Sequence, residues 1–334
     1  MPNANHVDIQ MLQIFVTTAE EQNMTNAAKR LGITQSAVSQ SIQQLEEQFG
    51  VQLMNRTRRP LSLTSAGLAL KNRALTLLGD IANLKAQIID ASQGIKPDVR
   101  IGLVDSFAAT CGVSFIKEML NVSATLSIRA GLSPMHGESL IGRSLDLAIS
   151  TDGLHAIDGI VRRRLLSERF VLITPKSYPG TYTTISDMRK LADTQPLLHF
   201  NRQSHLGAQI DVFLRRIDIK VPHRLELDGA DTLTSMVAGG IGWAITTPMC
   251  LLQSGTSIKT VKVHPLKGAN AGRSLFLLAR YDEYKHLFNQ TYRIAHAILE
   301  STLPPGLRSI HPGLESLIEL EPRTDHEQDD IDTH

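Results

Sequence analysis

The sequence predicts an α/β chain in two parts: an all-α-rich winged helix-turn-helix domain, then a two-lobed domain of alternating strands and helices. Three observations predict it. Helical apolar spacing is punctuated by Gly32 and Gly50, two short apolar segments flank the basic run Arg56 to Arg59, and short apolar strands alternate with helix-length segments after Asp98.

The first helix starts at Ile9, with Leu12, Phe15, Val16 and Ala19 on one stripe. Thr25 is the expected cap of a second helix through Ala27, Ala28 and Leu31, which Gly32 ends. Thr34 caps a third helix whose buried face is read as Ala37, Val38, Ile42, Leu45 and Phe49, closed by Gly50. Two short helices about a tight turn form a helix-turn-helix. The opposite face of the third helix carries Gln35, Ser36, Ser39, Gln40 and Gln43, neutral side chains that pair with base edges in a major groove. On composition alone, an ordinary polar helix surface fits equally well.

The next segment favours the first reading. Val51–Met54 and Leu61–Leu63 read as two strands of a wing with Arg56, Arg58 and Arg59 at its tip, cations that, with Thr34, contact phosphates. The 334-residue chain has a net charge of only +1, so the local distribution matters. No acidic residue lies between Glu47 and Asp80, whereas Asp325, Glu327, Asp329, Asp330 and Asp332 crowd the end.

From Met11 to Gly67 the chain resembles the LysR-type transcriptional regulators. The resemblance rests on Phe15, Ala19, Ala27-Ala28, Leu31, Thr34 to Ser39, Ile42, Leu45-Glu46, Gly50, Leu53, Arg56, Arg59, Leu63-Thr64 and Ala66-Gly67. Met54 departs from it, standing where the family usually has Phe. The resemblance implies that Gln35, Ser36, Ser39 and Gln40 face bases of double-stranded DNA.

After Thr64, a long helix carries Leu70, Ala74, Leu77, Ile81, Leu84, Ile88 and Ala91 in alternating steps of four and three, the seam of a two-helix supercoil. It is read as the dimerisation element, and the alternative is a helix packed on its own domain. Gly94 and Pro97 mark a hinge. The expected domains are 7–67 for DNA binding, 68–92 for the linker helix, 93–97 for the hinge and 98–302 for the two lobes. Lobe 1 takes 98–161 and 268–302, lobe 2 takes 162–267, and 303–334 is a disordered acidic tail.

In the second part, Val99–Val104, Leu126–Arg129 and Leu145–Ile149 read as strands of one parallel sheet. Phe170–Thr174, Leu197–His199, Arg224–Leu227 and Ile241–Ile245 form a second set, and Ser274–Ala279 with the helix from Tyr284 returns to the first lobe, as the resemblance implies. A weaker resemblance to the regulators' sensor domain runs through Leu145–Ile149 and Asp231–Gly242. This architecture is like that of periplasmic binding proteins. Ligands in such sheets sit beyond the strands' carboxyl ends, so the expected effector contacts are Ser106, Phe107, Thr110, Asn201, Arg202, Ser204, Asp231, Thr232 and Thr247. Hydroxyls, an amide and an Arg near helix starts suit a carboxylate or other anion, with Asp105 opposing it.

Enzymatic readings find no support. Gly131, Gly137 and Gly142 each lack the second glycine of a nucleophile elbow, and Gly239-Gly240-Ile241-Gly242 follows a helix instead of a strand. The histidines lack metal-site spacing, so neither metal nor cofactor is expected. A stand-alone solute-binding protein is the competing class, and a redox trigger at Cys111, near a helix start with Cys250 as resolving partner, is the competing mechanism. The expected location is cytoplasmic, with no membrane contact, since no secretory leader or membrane-length apolar run is present. Expected partners are DNA, a small-molecule effector and further copies of the chain. The resemblance suggests a dimer of dimers, with RNA polymerase as a further partner if the protein activates.

Overall fold

The computed structural model describes residues 7–55, 60–91, 96–222, 224–266, 270–281 and 283–322. Two compact units divide the chain, Met1–Ile88 and Ile89–His334.

In the first unit, α1 (Ile9–Glu21) is capped by the Asp8 carboxylate, which accepts from Gln10 N. The next helix, α2 (Met24–Leu31), is capped by Asn23 and not by Thr25. The Asn23 side-chain oxygen accepts from both Thr25 N and Asn26 N at 2.8 and 3.2 Å, which places Thr25 inside the first turn. Gly32 and Gly50 both take positive φ, 68° and 67°, where a Cβ is strained, and so end α2 and α3 (Gln35–Phe49). Phe15, Val38, Ile42 and Leu45 are fully buried between the three helices. Phe49, read as buried, is 45% exposed at the end of its helix.

The wing strands are shorter than expected. β1 (Met54–Asn55) pairs antiparallel with β2 (Ser62–Leu63). The ladder begins only at Met54, and Glu46 on α3 takes the donors at that end: its Oε1 accepts from Leu53 N at 2.8 Å and Met54 N at 3.2 Å. The basic tip, Arg56 to Arg59, lies outside the described residues. A Cβ on Gly67 would stand 2.0 Å from Leu53 O, so only glycine lets α4 (Ser65–Ala91) start against the wing.

The heptad reading of α4 needs correction at its start. Ala74 is fully buried in this unit's own core, and Leu70 packs against that core. Ala74 is therefore not free to meet another chain, and Leu70 is only partly buried. Leu77, Ile81, Leu84 and Ile88 remain 41–62% exposed.

In the second unit the chain runs β3 (Asp98–Val104), α5 (Asp105–Leu120), β4 (Thr125–Gly131), α6 (Ser133–Ile141), β5 (Leu147–Ser150) and β6 (Ile160–Arg169). It crosses into lobe 2 as β7 (Val171–Pro175), α7 (Ile185–Thr194), β8 (Leu197–Phe200), α8 (His205–Arg216), β9 (Arg224–Leu227), α9 (Ala230–Ala238), β10 (Trp243–Thr246), α10 (Pro248–Gln253) and β11 (Val261–Pro265). It returns through β12 (Gly272–Arg280), α11 (Lys285–Ile310) and β13 (Ile318–Leu320).

Lobe 1 is a six-stranded sheet in the order β13-β6-β12-β5-β3-β4, and lobe 2 a five-stranded sheet in the order β11-β7-β10-β8-β9. Both are mixed, not parallel. β3 with β4 and β5, and β8 with β9 and β10, are parallel, whereas β6, β7, β11, β12 and β13 pair antiparallel. The expected boundary at 161/162 is also displaced. β6 hydrogen-bonds to β12 along its length, so residues 160–169 belong to lobe 1 and the crossing falls at Arg169–Phe170. The run of charges Arg162 to Arg164 hid this strand, yet Leu165, Leu166 and Glu168 are buried.

The expected tail from 303 is structured as far as 322. α11 continues through Pro304 and Pro305, each of which removes a backbone donor. Leu303 and Leu307, both 1% exposed, compensate by burial, and Gly306 lies so close to α10 that a Cβ would stand 2.9 Å from Leu252. A 3-10 turn (Pro312–Leu317) then packs on β11 and leads into β13, which pairs with β6. The end of the described chain thus touches both lobes.

Candidate DNA-binding and effector-binding sites

On α3, Gln35, Ser36, Gln40 and Gln43 are exposed and Ser39 is half-buried, all on the side away from the core. Thr34 spends its hydroxyl on the helix, accepting from Ala37 N at 3.2 Å and bonding Ser36 Oγ at 2.9 Å. Gln43 donates to Glu47 Oε1 at 3.0 Å, which ties its amide to its own helix. Gln35, Ser36, Ser39 and Gln40 therefore form the face presented to solvent near the helix start.

Between the lobes, a small cavity of about 50 Å³ is lined by Asp105, Ser106, Ser133, Ser204, Ala230 and Arg273, among others. Three helices open onto it without side-chain caps: α5 after Val104, α6 after Leu132 and α9 after Gly229. The first backbone N–H groups of α5 and α9 are the natural partners of an acceptor or anion, while α6 offers Ser133 N alone because Pro134 has no N–H and Met135 N bonds Leu132 O. Beneath lies a buried ion pair. Arg273 Nε donates to Glu168 Oε1 at 2.6 Å, Arg273 Nη2 donates to Ser106 Oγ at 2.9 Å, and Glu168 Oε2 accepts from Met249 N at 2.9 Å. The pair joins the start of α5 in lobe 1 to the start of α10 in lobe 2. Burial raises the Asp105 carboxyl above its usual range.

Of the nine expected effector contacts, this cavity gathers Ser106 and Ser204. Phe107 is fully buried edge-on to Phe115 and belongs to the core. Thr110 donates back to Ser106 O within α5, and Thr247 is buried as the cap of α10. Asn201 donates to Asp228, and Arg202 is held on the lobe surface by Asp211 and Glu226, each at 3.2 Å. Asp231 and Thr232 are exposed and off the cavity wall. The central residues missed were Glu168 and Arg273, whose strands the sequence either hid or left without partners.

Cys111 does not have the setting of a redox trigger. It sits a full turn and more inside α5, 1% exposed, and burial pushes its thiol up to about 11. Cys250 is also a buried free thiol, pushed up by the same cause, although α5 and α10 do pack together. Among the described residues, no group of His, Cys, Asp and Glu is placed to hold a metal ion. No described helix is long and apolar enough to cross a membrane.

A helix-turn-helix with a two-stranded wing, followed in sequence by two α/β lobes with a cavity between them, is the organisation of a DNA-binding regulator with an effector domain. Residues 9–68 match the bacterial regulatory helix-turn-helix protein, lysR family, and residues 92–290 match the LysR substrate binding domain. The chain belongs to the LysR family of transcriptional regulators. It is similar to the HTH-type transcriptional regulators GltR and CzcR of Bacillus subtilis (strain 168). GltR is 25% identical over 83% of this chain and 91% of that protein, and CzcR is 26% identical over 88% and 98%. A full-length OxyR variant from Pseudomonas aeruginosa shares the fold, with a TM-score of 0.66 at 18% identity over 88% of this chain and 95% of that one. So does CbnR, solved in complex with its target DNA, at 0.59 and 17% over 87% and 100%.

Proposed function

We propose that two copies of the chain pair through the exposed α4 stripe, place their α3 helices in successive major grooves of a two-fold-related DNA site, and respond to a small acceptor-rich or anionic effector between the lobes. Support for base reading is the neutral Gln and Ser face of α3, since a helix surface built only for solvent favours Lys and Glu. Gln35, Ser36, Ser39 and Gln40 read bases, while Thr34, Arg56, Arg58 and Arg59 hold phosphates. CbnR, similar in fold, is a precedent for target-DNA binding.

The uncapped starts of α5 and α9, with Ser133 N of α6, support the anion reading, and Arg273 adds no net charge because Glu168 neutralises it. The present cavity holds a few waters at most, so an effector must part the lobes. Its differential affinity for the parted arrangement is what shifts the regulator. A tetramer of two such dimers, a cytoplasmic location, contact with RNA polymerase during activation and the lack of any catalytic step complete this reading.

The decisive experiment is a footprint and affinity titration on the DNA upstream of the protein's own gene at two salt concentrations, with unrelated DNA as control. Protection of a two-fold-related site well above control is the expected result. Equal, wholly salt-dependent binding to both DNAs would overturn the reading.

A further inference from the structure

The chain crosses between the lobes from β6 to β7 at Arg169–Phe170 and returns from β11 to β12. The crossings lie side by side, with Phe170 N donating to Ala271 O at 2.9 Å. Adjacent crossings of this kind make a hinge, because a few backbone torsions there turn one lobe against the other. The segment beyond residue 290, where the match to the substrate binding domain ends, adds a further connection. It leaves lobe 1 as the last turns of α11, passes α10 and β11 of lobe 2, and comes back to lobe 1 as β13.

Its two attachments differ in kind. To lobe 1 it is held by directional bonds: Ile318, Glu319 and Leu320 pair with Glu168, Ser167 and Leu166 of β6, Glu321 N donates to Leu165 O at 3.1 Å, the Glu321 carboxylate ion-pairs with Arg164, and the His296 ring bonds Glu321 O at 2.6 Å. Against lobe 2 it rests on apolar surface. A Cβ on Gly306 would stand 2.9 Å from the Leu252 side chain, and one on Gly313 3.4 Å from Pro265 Cγ. Among the described residues, no hydrogen bond or ion pair joins 303–322 to lobe 2. Parting the apolar contact therefore strands no polar group, whereas parting the β13 ladder would. The segment is also stiff, since Pro304, Pro305 and Pro312 fix their φ and Arg308 pairs with Glu315 across the bend at 3.1 Å.

We propose that residues 303–321 form a strap that sets the angle between the lobes, anchored on lobe 1 and clasping lobe 2 at Leu252 and Pro265. The lobes part only when the clasp lifts. The strap lies outside the wall of the effector cavity, so it goes beyond the effector reading: it favours one lobe arrangement whether or not a ligand is bound, and a ligand that needs the other arrangement binds more weakly by that bias.

The test is the distribution of distances between spin labels on Lys117→Cys in lobe 1 and Lys190→Cys in lobe 2, both exposed positions, in the full chain diluted into unlabelled chain. Cys111 and Cys250 are buried, and a chain without the introduced cysteines controls for their labelling. One narrow distribution is expected. Gly306→Trp combined with Gly313→Trp, wedges at the two clasp points, should widen it about twofold or more, while Ser309→Trp, on the exposed side of α11, should leave it unchanged. Leu252→Ala removes the seat from the lobe 2 side without adding bulk and should widen the distribution in the same direction, which decides the matter if the wedged chain does not fold in circular dichroism melts. A broad distribution in the parent chain, no widening in the folded clasp variants, or equal widening by Ser309→Trp would overturn the proposal. The distance is read without DNA or effector, so this proposal and the regulator reading can fail separately.

Discussion

Arg273 and Glu168 face each other across β12 and β6 as register partners, and both side chains are at most 5% exposed. A buried pair of this kind contributes little net stability against a well-packed apolar replacement, but removing one partner strands the other charge. Arg273→Met is therefore expected to destabilise the two-lobed unit by about 3–5 kcal/mol. Arg273→Met combined with Glu168→Leu should recover much of that loss in urea unfolding. Equal losses from the single and double variants would show that the ion pair itself matters little.

The proposed reading assigns bases to the α3 face and phosphates to the wing, and substitutions separate the two. Gln35→Ala or Ser39→Ala should cost about 1–3 kcal/mol on the specific site and relax preference at one base pair. Arg56→Ala should weaken all DNA alike and lower the salt slope by about one. Competition titrations at two salt concentrations separate the outcomes, and identical behaviour of all three variants contradicts the division.

The α4 stripe makes a contrast within one helix. Leu84→Glu, on the 55% exposed stretch, should dissociate the dimer with little effect on folding. Ala74→Leu, in the fully buried part, should leave the assembly intact and cost about 1–3 kcal/mol by overpacking. Light scattering and thermal melts of both variants give the readouts. Dissociation by Ala74→Leu with none by Leu84→Glu would reverse the assignment.

Several histidines of the lobes are held neutral. His264, 3% exposed and bonded to Thr174 Oγ1 at 2.9 Å, is lowered to about 4, and His136 and His199 are lowered too, in each case first by burial. Below the ordinary value near 6.5 the unfolded chain binds protons that the folded chain refuses. Stability of this unit should therefore be full above about pH 6.5 and decline as pH falls toward 4. His264→Gln should flatten part of that decline, measured as melting temperature against pH.

The first unit was legible in the sequence because its signals are local: Gly32 and Gly50 must end helices, and an apolar stripe must find a core. What was missed there turned on neighbours, such as Asn23 capping the helix two residues before Thr25, which places Thr25 inside the first turn, or Glu46 taking the donors of Leu53 and Met54. The lobes were harder to read. β6 carries three successive arginines, and its strand character follows from β12, more than a hundred residues later. The effector contacts suffered likewise, since helix starts can be located in a sequence while Arg273 and Glu168 meet only through long-range pairing.

The strand order of lobe 1 also fixes when this protein can acquire its sensor. Among the described residues, in the order β13-β6-β12-β5, β5 and β6 are joined through β12 alone, and the outer edge of β6 is covered by β13 alone. A nascent chain that has emerged as far as lobe 2 holds two unpaired strand edges flanking a missing neighbour. The reading head can be complete long before then, so during synthesis there is an interval in which the chain has a finished DNA-binding unit and no means of sensing.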